Sequence, residues 1–109
     1  MKTDLLQIAT DFSPTPGPRS PLEGDCSGEE FLEKVLEPRF KRAVENGAKL
    51  VINLDGAEGY ATSFLEASFG GLARKYDIAL VLSTIEIVSE DEPLLKEEIV
   101  SYIKEARNQ

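Results

Sequence analysis

The sequence predicts an α/β domain in which helices pack on a small, mostly parallel sheet. Three short apolar runs have the length and composition of strands, and segments with apolar residues at helical spacing lie between them. Alternating strands and helices of this length are typical of parallel sheets. A chain of 109 residues, 41% of them hydrophobic, is large enough to bury a core, so we expect a single domain over residues 1–109.

The first strand is predicted at residues 4–9, where the sequence DLLQIA is mostly apolar. Residues 11–27 contain four of the six prolines and two of the eight glycines, which excludes a helix or a central strand. A long, stiff loop is therefore predicted. Such a loop is either a binding element or a surface connection made rigid by proline, and the sequence leaves both interpretations open.

A helix is predicted to begin at Ser27, because Ser27 and Glu30 have the spacing of a capping box, in which each side chain bonds to the backbone N–H of the other residue. Pro38 interrupts the apolar stripe of this helix, which predicts a kink or a restart near that residue. The Asn-Gly pair at residues 46–47 predicts a left-handed end of the helix.

Residues 49–54 are apolar nearly throughout and are predicted to form the central strand, covered by helices on both faces. Residues 78–82 have the same composition and are predicted to form the third strand, with residues 85–88 as a short separate extension. The acidic residues and the proline at 91–93 favour the start of a last helix, because acids suit the positive end of a helix and proline is tolerated in its first turn.

The central helix is predicted to open at Thr62 or Ser63 and to run to Tyr76. Ser63 and Glu66 again have the spacing of a capping box, so the Ser63 hydroxyl is expected to bond to the first free N–H groups of this helix. The two glycines at residues 70–71 cost about 1 kcal/mol each relative to alanine. We interpret them as a sign that a neighbouring backbone approaches closely.

The composition restricts the possible partners. The chain carries 12 Lys and Arg against 20 Asp and Glu, and its net charge of −8 repels phosphate backbones and acidic membranes. We therefore expect neither direct nucleic-acid binding nor membrane association. The single cysteine cannot form an internal disulfide, no apolar run approaches the roughly 20 residues of a membrane span, and no signal peptide is recognisable. These features predict a cytoplasmic protein.

Histidine is absent from the sequence, which excludes Cys-His and Ser-His-Asp nucleophiles and most transition-metal sites. The acidic clusters lack the spacing of a calcium loop, and the glycines form no phosphate-binding motif. We therefore expect no metal and no cofactor. Only Glu30 and Glu66, at predicted helix starts, suggest an enzyme, and the electrostatics of a helix start disfavour a general acid there.

The stretch at residues 50–76 resembles the STAS family, the domain of anti-sigma-factor antagonists and of the tails of sulfate transporters. In those antagonists, a strand ending in Asn-Leu-acid leads to the motif Asp-Ser-Ser-Gly-Leu-Gly at a helix start, and a partner kinase phosphorylates the second Ser. Aligned without a gap from Asn53-Leu54-Asp55, the motif falls on Ala61, Thr62, Ser63, Phe64, Leu65 and Glu66. The resemblance implies that Ser63 is the phosphoacceptor and that Thr62 matches the first Ser. The chain departs from the motif where the family's Asp and its two Gly residues stand.

A second resemblance covers nearly the whole chain. It rests on Asp11-Phe12-Ser13, Pro16-Gly17-Pro18-Arg19, Ser27-Gly28-Glu29-Glu30-Phe31, Ser63-Phe64-Leu65-Glu66 and Phe69-Gly70-Gly71-Leu72. Together these motifs are similar to a family of bacterial and phage proteins called STAS-like, whose biochemical role is not established. The resemblance implies a STAS-like sandwich, and it implies a setting like that of partner-switch systems, in which such a domain works beside a histidine-kinase-like ATPase.

Our first hypothesis is a non-enzymatic regulatory module that binds another protein through the start of the central helix and the proline-rich loop. Arg19 is expected either to offer its guanidinium to a partner or to pair with an acid of this chain and pin the loop. The residues expected at the partner surface are Pro16, Gly17, Arg19, Glu30, Phe64 and Glu66, with Ser63 and Thr62 as candidate phosphoacceptors. The alternatives are an acidic inhibitor or decoy that covers a basic, nucleic-acid-binding surface of another protein, and a carboxylate-based enzyme.

Overall fold

The computed structural model describes residues 2–106. Its sheet has three parallel strands in the order β1, β2, β3, formed by Thr3–Gln7, Lys49–Asn53 and Ile85–Val88. The predicted α/β fold with a small parallel sheet is confirmed, and β2 is the central strand as predicted. The first strand ends at Gln7, two residues earlier than predicted, because the Asp11 carboxylate accepts the Gln7 N–H at 2.9 Å and the chain turns into a short helix.

Five helical segments accompany the strands in the described part of the chain. Helix α1 is Ile8–Asp11, α4 is Ile78–Thr84 and α5 is Leu94–Glu105. Helices α2 (residues 28–46) and α3 (residues 62–75) are each continuous, and each contains one widened π-helical turn. The segments of these two helices are Gly28–Phe31, π-helical Leu32–Leu36 and Glu37–Asn46 in α2, and Thr62–Leu65, π-helical Glu66–Gly70 and Gly71–Lys75 in α3.

The third strand was predicted at residues 78–82, but it is formed by residues 85–88. Residues 78–82 belong to helix α4, and the predicted extension at Ile85–Val88 is the true strand β3, paired in parallel with β2. Asp77 begins the helix, since its carboxylate accepts the Leu80 N–H at 3.3 Å. A short apolar run does not distinguish a buried strand from a buried helix turn, which explains the error.

The helices cover only one face of the sheet, so the prediction of a central strand covered on both faces is wrong. Along β2, Leu50 and Ile52 are fully buried, whereas the residues that alternate with them, Lys49, Val51 and Asn53, are partly exposed. On the edge strand β1, Leu5 is 57% exposed. The reason is the strand order. The chain crosses from β1 to β2 to β3 in one direction, and successive right-handed crossovers in one direction place their helices on the same face.

The local signals in α2 are confirmed except for one half of the capping box. Ser27, which is fully buried, accepts the Glu30 N–H at 3.1 Å, but the Glu30 carboxylate, which was expected to accept the Ser27 N–H, accepts from Lys34. The π-helical turn ends at Leu36, and regular helix resumes at Glu37 with Pro38 in its first turn, which is the predicted restart. Gly47 ends the helix with φ 64°, in the left-handed region that favours glycine. The last helix forms where predicted, with Pro93 as its N-cap, and buries Leu95, Ile99 and Ile103; the buried Ala106 is its C-cap.

The starts of α2 and α3 pack directly against each other at Gly28. A Cβ atom at Gly28 would lie 2.5 Å from the carbonyl oxygen of Phe64, so only glycine allows this distance between the backbones. The close backbone approach that we expected at residues 70–71 therefore occurs here. At Gly70 and Gly71 the nearest atoms to an added Cβ belong to the side chains of Glu66 and Leu32, each at 2.8 Å.

Gly28→Ala should lower the free energy of unfolding by about 2 to 3 kcal/mol, because the added methyl group forces two helix backbones apart. Urea unfolding measures the change. Gly59→Ala is the matched control, since no atom lies within 4 Å of its added Cβ. It should leave the stability within about 0.5 kcal/mol or raise it slightly. Equal stability of both variants would contradict the close contact.

Candidate functional site

The candidate site lies at the edge of the sheet where the three parallel strands end. Three connections meet there: residues 12–27, 54–61 and 89–93. The Asp55 carboxylate accepts the backbone N–H groups of Glu90 and Asp91, each at 2.9 Å, and the Glu58 N–H donates to the Pro14 carbonyl at 2.9 Å. The carboxyl edge of a parallel sheet is where α/β proteins commonly bind their ligands.

Helix α3 begins at Thr62, and Ala61 occupies the N-cap position with φ −69° and ψ 143°. Alanine has no side-chain acceptor, so the capping box predicted for Ser63 is wrong. Ser63 is the second residue of the helix and is partly exposed, whereas Thr62 is exposed. Ser63 and Glu66 have the spacing of a capping box, but the N-cap lies two residues before Ser63, and Phe64 and Leu65, which follow Ser63, are buried.

Aromatic side chains support the start of α3 from inside. The Phe64 ring is fully buried, 5.7 Å from that of Phe31 and 6.0 Å from that of Tyr60. The Tyr60 hydroxyl donates to the Leu54 carbonyl at 2.7 Å, and burial, together with the nearby Asp55 carboxylate, raises the pKa of Tyr60. Phe64, which we expected at the partner surface, thus anchors the helix start and offers no surface in this conformation.

The proline-rich loop is held in one conformation at its neck. The Gly17 N–H donates to the Cys26 carbonyl at 2.8 Å, and the next two carbonyls, of Pro18 and Arg19, accept the N–H groups of Gly28 and Glu29 at 2.8 and 3.0 Å. A Cβ atom at Gly17 would clash with the carbonyl oxygen of Asp25, so the neck requires glycine. Segment 17–19 therefore runs alongside the start of α2.

Glu66 joins this loop to α3. Its two carboxylate oxygens each accept from a guanidinium at 2.6 Å, one from Arg19 of the loop and one from Arg74 of the same helix. The hydrogen bond from Arg74, followed by that from Arg19, holds the pKa of Glu66 below its ordinary value. Gly70 stands between Glu66 and Arg74, and its missing side chain leaves the space in which the two groups meet.

The predicted site residues are thus only partly brought together. Arg19 and Glu66 are in direct contact, and Ser63 and Thr62 precede Glu66 by three and four residues on the same helix, which places them near one face. Glu30 lies on α2 and bonds to Lys34, while Pro16 and Gly17 lie at the neck of the loop. Sequence reasoning missed Arg74, whose spacing of eight residues from Glu66 exceeds the usual helical pairs.

Within the described residues, no group of three or more His, Cys, Asp or Glu side chains is placed to hold a metal ion. Over residues 2–106, no helix is both long and apolar enough to cross a membrane.

The sequence model of a family described as "STAS-like domain of unknown function (DUF4325)" matches residues 27–95, which include β2, β3 and the helices α2, α3 and α4. The chain belongs to this STAS-like family. The predicted resemblance to a STAS-like family is thereby confirmed over residues 27–95, which include the start of α3 and Glu66. The motifs at residues 11–13 and 16–19 lie outside the matched region. No curated protein and no solved structure matches the chain.

Ala61→Asp should raise the free energy of unfolding by about 0.5 to 1 kcal/mol. The backbone at Ala61 already has the extended conformation of an N-cap residue, so an Asp side chain there can accept from the free N–H groups of the first turn. Thermal unfolding measures the gain. Ser63→Ala is the control, and because Ser63 is not the N-cap, it should change the stability by less than about 0.5 kcal/mol. A larger loss in Ser63→Ala than this would restore the original capping prediction.

Glu66→Gln should lower the free energy of unfolding at pH 7 by about 1 to 2 kcal/mol, because the amide cannot bind both guanidinium groups. The pKa of Glu66 is depressed in the folded state, so its stabilisation is complete above the ordinary value of 4.5 and is lost as pH falls below it. Urea unfolding across this pH range should therefore show the two proteins converging at acidic pH.

Glu30→Gln is the matched control for this experiment, because the partner of Glu30 is Lys34, whose side chain is 68% exposed. A surface pair of this kind contributes between nothing and about 1 kcal/mol. If the difference in free energy of unfolding between Glu66→Gln and the parent did not change with pH, the charge of Glu66 would not be what stabilises the loop.

Proposed function

We propose that this chain is a non-enzymatic regulatory module that binds a protein partner through the start of α3 and the proline-rich loop, and that phosphorylation of Ser63 controls the binding. The observation that carries the proposal is the position of Ser63. Ser63 is partly exposed and is not the helix cap, and one turn later Glu66 binds Arg19 of the loop. Thr62, which is exposed, is the second candidate acceptor.

A phosphate at Ser63 would act through its charge on the ion pairs that Glu66 makes with Arg19 and Arg74. It adds about 1.5 to 2 negative charges and three acceptor oxygens, and the N–H groups and dipole of a helix start accommodate it. Residues three apart on a helix are neighbours, about 5 to 6 Å between their Cβ atoms, so the phosphate would compete with Glu66 for the long Arg19 side chain. The loop that Arg19 pins would then change its position relative to the helix.

The ionisation of Glu66 supports a binding role over catalysis. A general acid must hold a proton near neutral pH, which requires a raised pKa. The two guanidinium groups lower the pKa of Glu66, and its contacts fit a structural link between loop and helix. The partner that we propose is a protein kinase of the histidine-kinase-like ATPase class, which rests on the family setting implied by the sequence resemblance.

Ser63→Asp should change the amount of one specific protein captured from the source cell by about fivefold or more, the lower end of typical coupling between two sites. Ser63→Ala should bind as the unphosphorylated parent does. Quantitative mass spectrometry of the captured proteins measures the change, and mass spectrometry of the parent from the same cells should find phosphate on residue 63. Ser83→Asp is the control, because Ser83 lies near Lys49 at the amino end of β2, across the sheet from the site.

Identical capture by the parent, Ser63→Asp and Ser63→Ala would refute the switch. If capture of the partner protein weakens steeply with salt and is the same for all Ser63 variants, the result favours the acidic decoy, because salt screens the attraction between surface charges.

A further inference from the structure

The tip of the proline-rich loop exposes a leucine almost completely. Leu22 is 98% exposed, compared with 70% for Leu94 and 57% for Leu5, the next two large apolar residues in exposure within residues 2–106. A single exposed apolar residue is common on protein surfaces and by itself needs no explanation. Leu22 differs because the segment that carries it is fixed.

Three features fix the turn around Leu22. Pro21 restricts the backbone directly before it. The Ser20 hydroxyl oxygen accepts the Leu22 N–H at 3.1 Å, and the Ser20 carbonyl accepts the Glu23 N–H at 3.0 Å, which closes the turn. The neck described above and the contact of Arg19 with Glu66 hold the base of the loop. An element that is already ordered loses little conformational entropy when it binds.

The surroundings of Leu22 are negatively charged. Glu23 and Asp25 are exposed beside it, and Arg19, the only basic residue between residues 12 and 27, is paired with Glu66. The tip therefore combines one apolar side chain with two exposed carboxylates. Its complement is an apolar cleft with a basic rim.

We propose that Leu22 is the anchor by which this chain enters an apolar pocket of its protein partner, and that Lys or Arg residues rim this pocket and pair with Glu23 and Asp25. This inference rests on the proposed function and deepens it by naming the class of partner surface. A buried central side chain surrounded by polar contacts is the usual arrangement of an interface anchor. The negative tip disfavours an anionic lipid surface, and the net charge of −8 disfavours a second copy of this chain.

The first experiment replaces Leu22 in the full chain by a photo-crosslinking diazirine residue and irradiates the source cells. The same residue in place of Leu94 is the control, because Leu94 is also exposed but lies at the start of α5. We expect a crosslink to a protein from position 22 at least tenfold stronger than from position 94. The double variant Glu23→Gln, Asp25→Asn should reduce it, and a high salt concentration should reduce it too.

The second experiment measures the affinity of the purified chain for the crosslinked protein. Leu22→Ala should weaken binding at least tenfold, mainly by faster dissociation, and Leu94→Ala should change it less than twofold. The double charge variant should slow association and flatten the salt dependence. Because Leu22 is almost fully exposed, its replacement leaves the fold intact, and loss of binding reports the contact itself.

Several outcomes would overturn the proposal: no crosslink from position 22 above that from position 94, a crosslink to lipid or to a second copy, or unchanged affinity of Leu22→Ala. These outcomes are separable from failure of the phosphorylation switch. A partner that responds to Ser63 variants but not to Leu22→Ala would keep the proposed function and refute the anchor. A partner that responds only to Leu22→Ala would keep the anchor and refute the switch.

Discussion

The contact on which this structure depends is the one between the starts of helices α2 and α3, and it exists because Gly28 has no side chain. A Cβ atom at Gly28 would lie 2.5 Å from the Phe64 carbonyl oxygen, so the two helix starts lie closer together than any other residue would allow. Their aromatic residues, Phe31 and Phe64, meet directly beneath. Because both helices start at the carboxyl edge of the sheet, this contact also brings the proline-rich loop, which leads into α2, against the start of α3.

Glu66 links the proline-rich loop to α3 through two ion pairs. A carboxylate shared by two guanidinium groups ties a loop residue, Arg19, to a residue two turns further along the helix, Arg74. The connection is electrostatic and partly exposed, so it is weaker than the packing below it and responds to charge.

Much of the fold follows from residues that act on their near neighbours in the sequence. The wrong predictions concern features that depend on residues far apart in the chain. Ser27, Pro38 and Gly47 act on their immediate neighbours, so their caps, restart and helix end were predictable from the sequence. Residues 78–82 adopt a helix because Asp77 caps them and because the strand that pairs with β2 is formed by residues 85–88. The pairing with β2 cannot be read from the sequence of residues 78–88 alone. The one-sided sheet likewise depends on the direction of both crossovers. In the site, the Arg19 contact was one of two predicted alternatives, but Arg74 reaches Glu66 only across the space left by Gly70.

Two of the positions at which this chain departs from the STAS motif, Ala61 and Glu66, change the charge at the same helix start. The position that aligns with the family's Asp is Ala61, the N-cap, so the helix start lacks the side-chain acceptor that an Asp would supply. The position that aligns with the second Gly is Glu66, so a negative charge has moved from the cap into the next turn, still near the positive end of the helix. There it binds Arg19 instead of the free N–H groups. These N–H groups are consequently left without a side-chain cap beside Ser63, and a phosphate at that residue would meet both an open helix end and an arginine that is already in place.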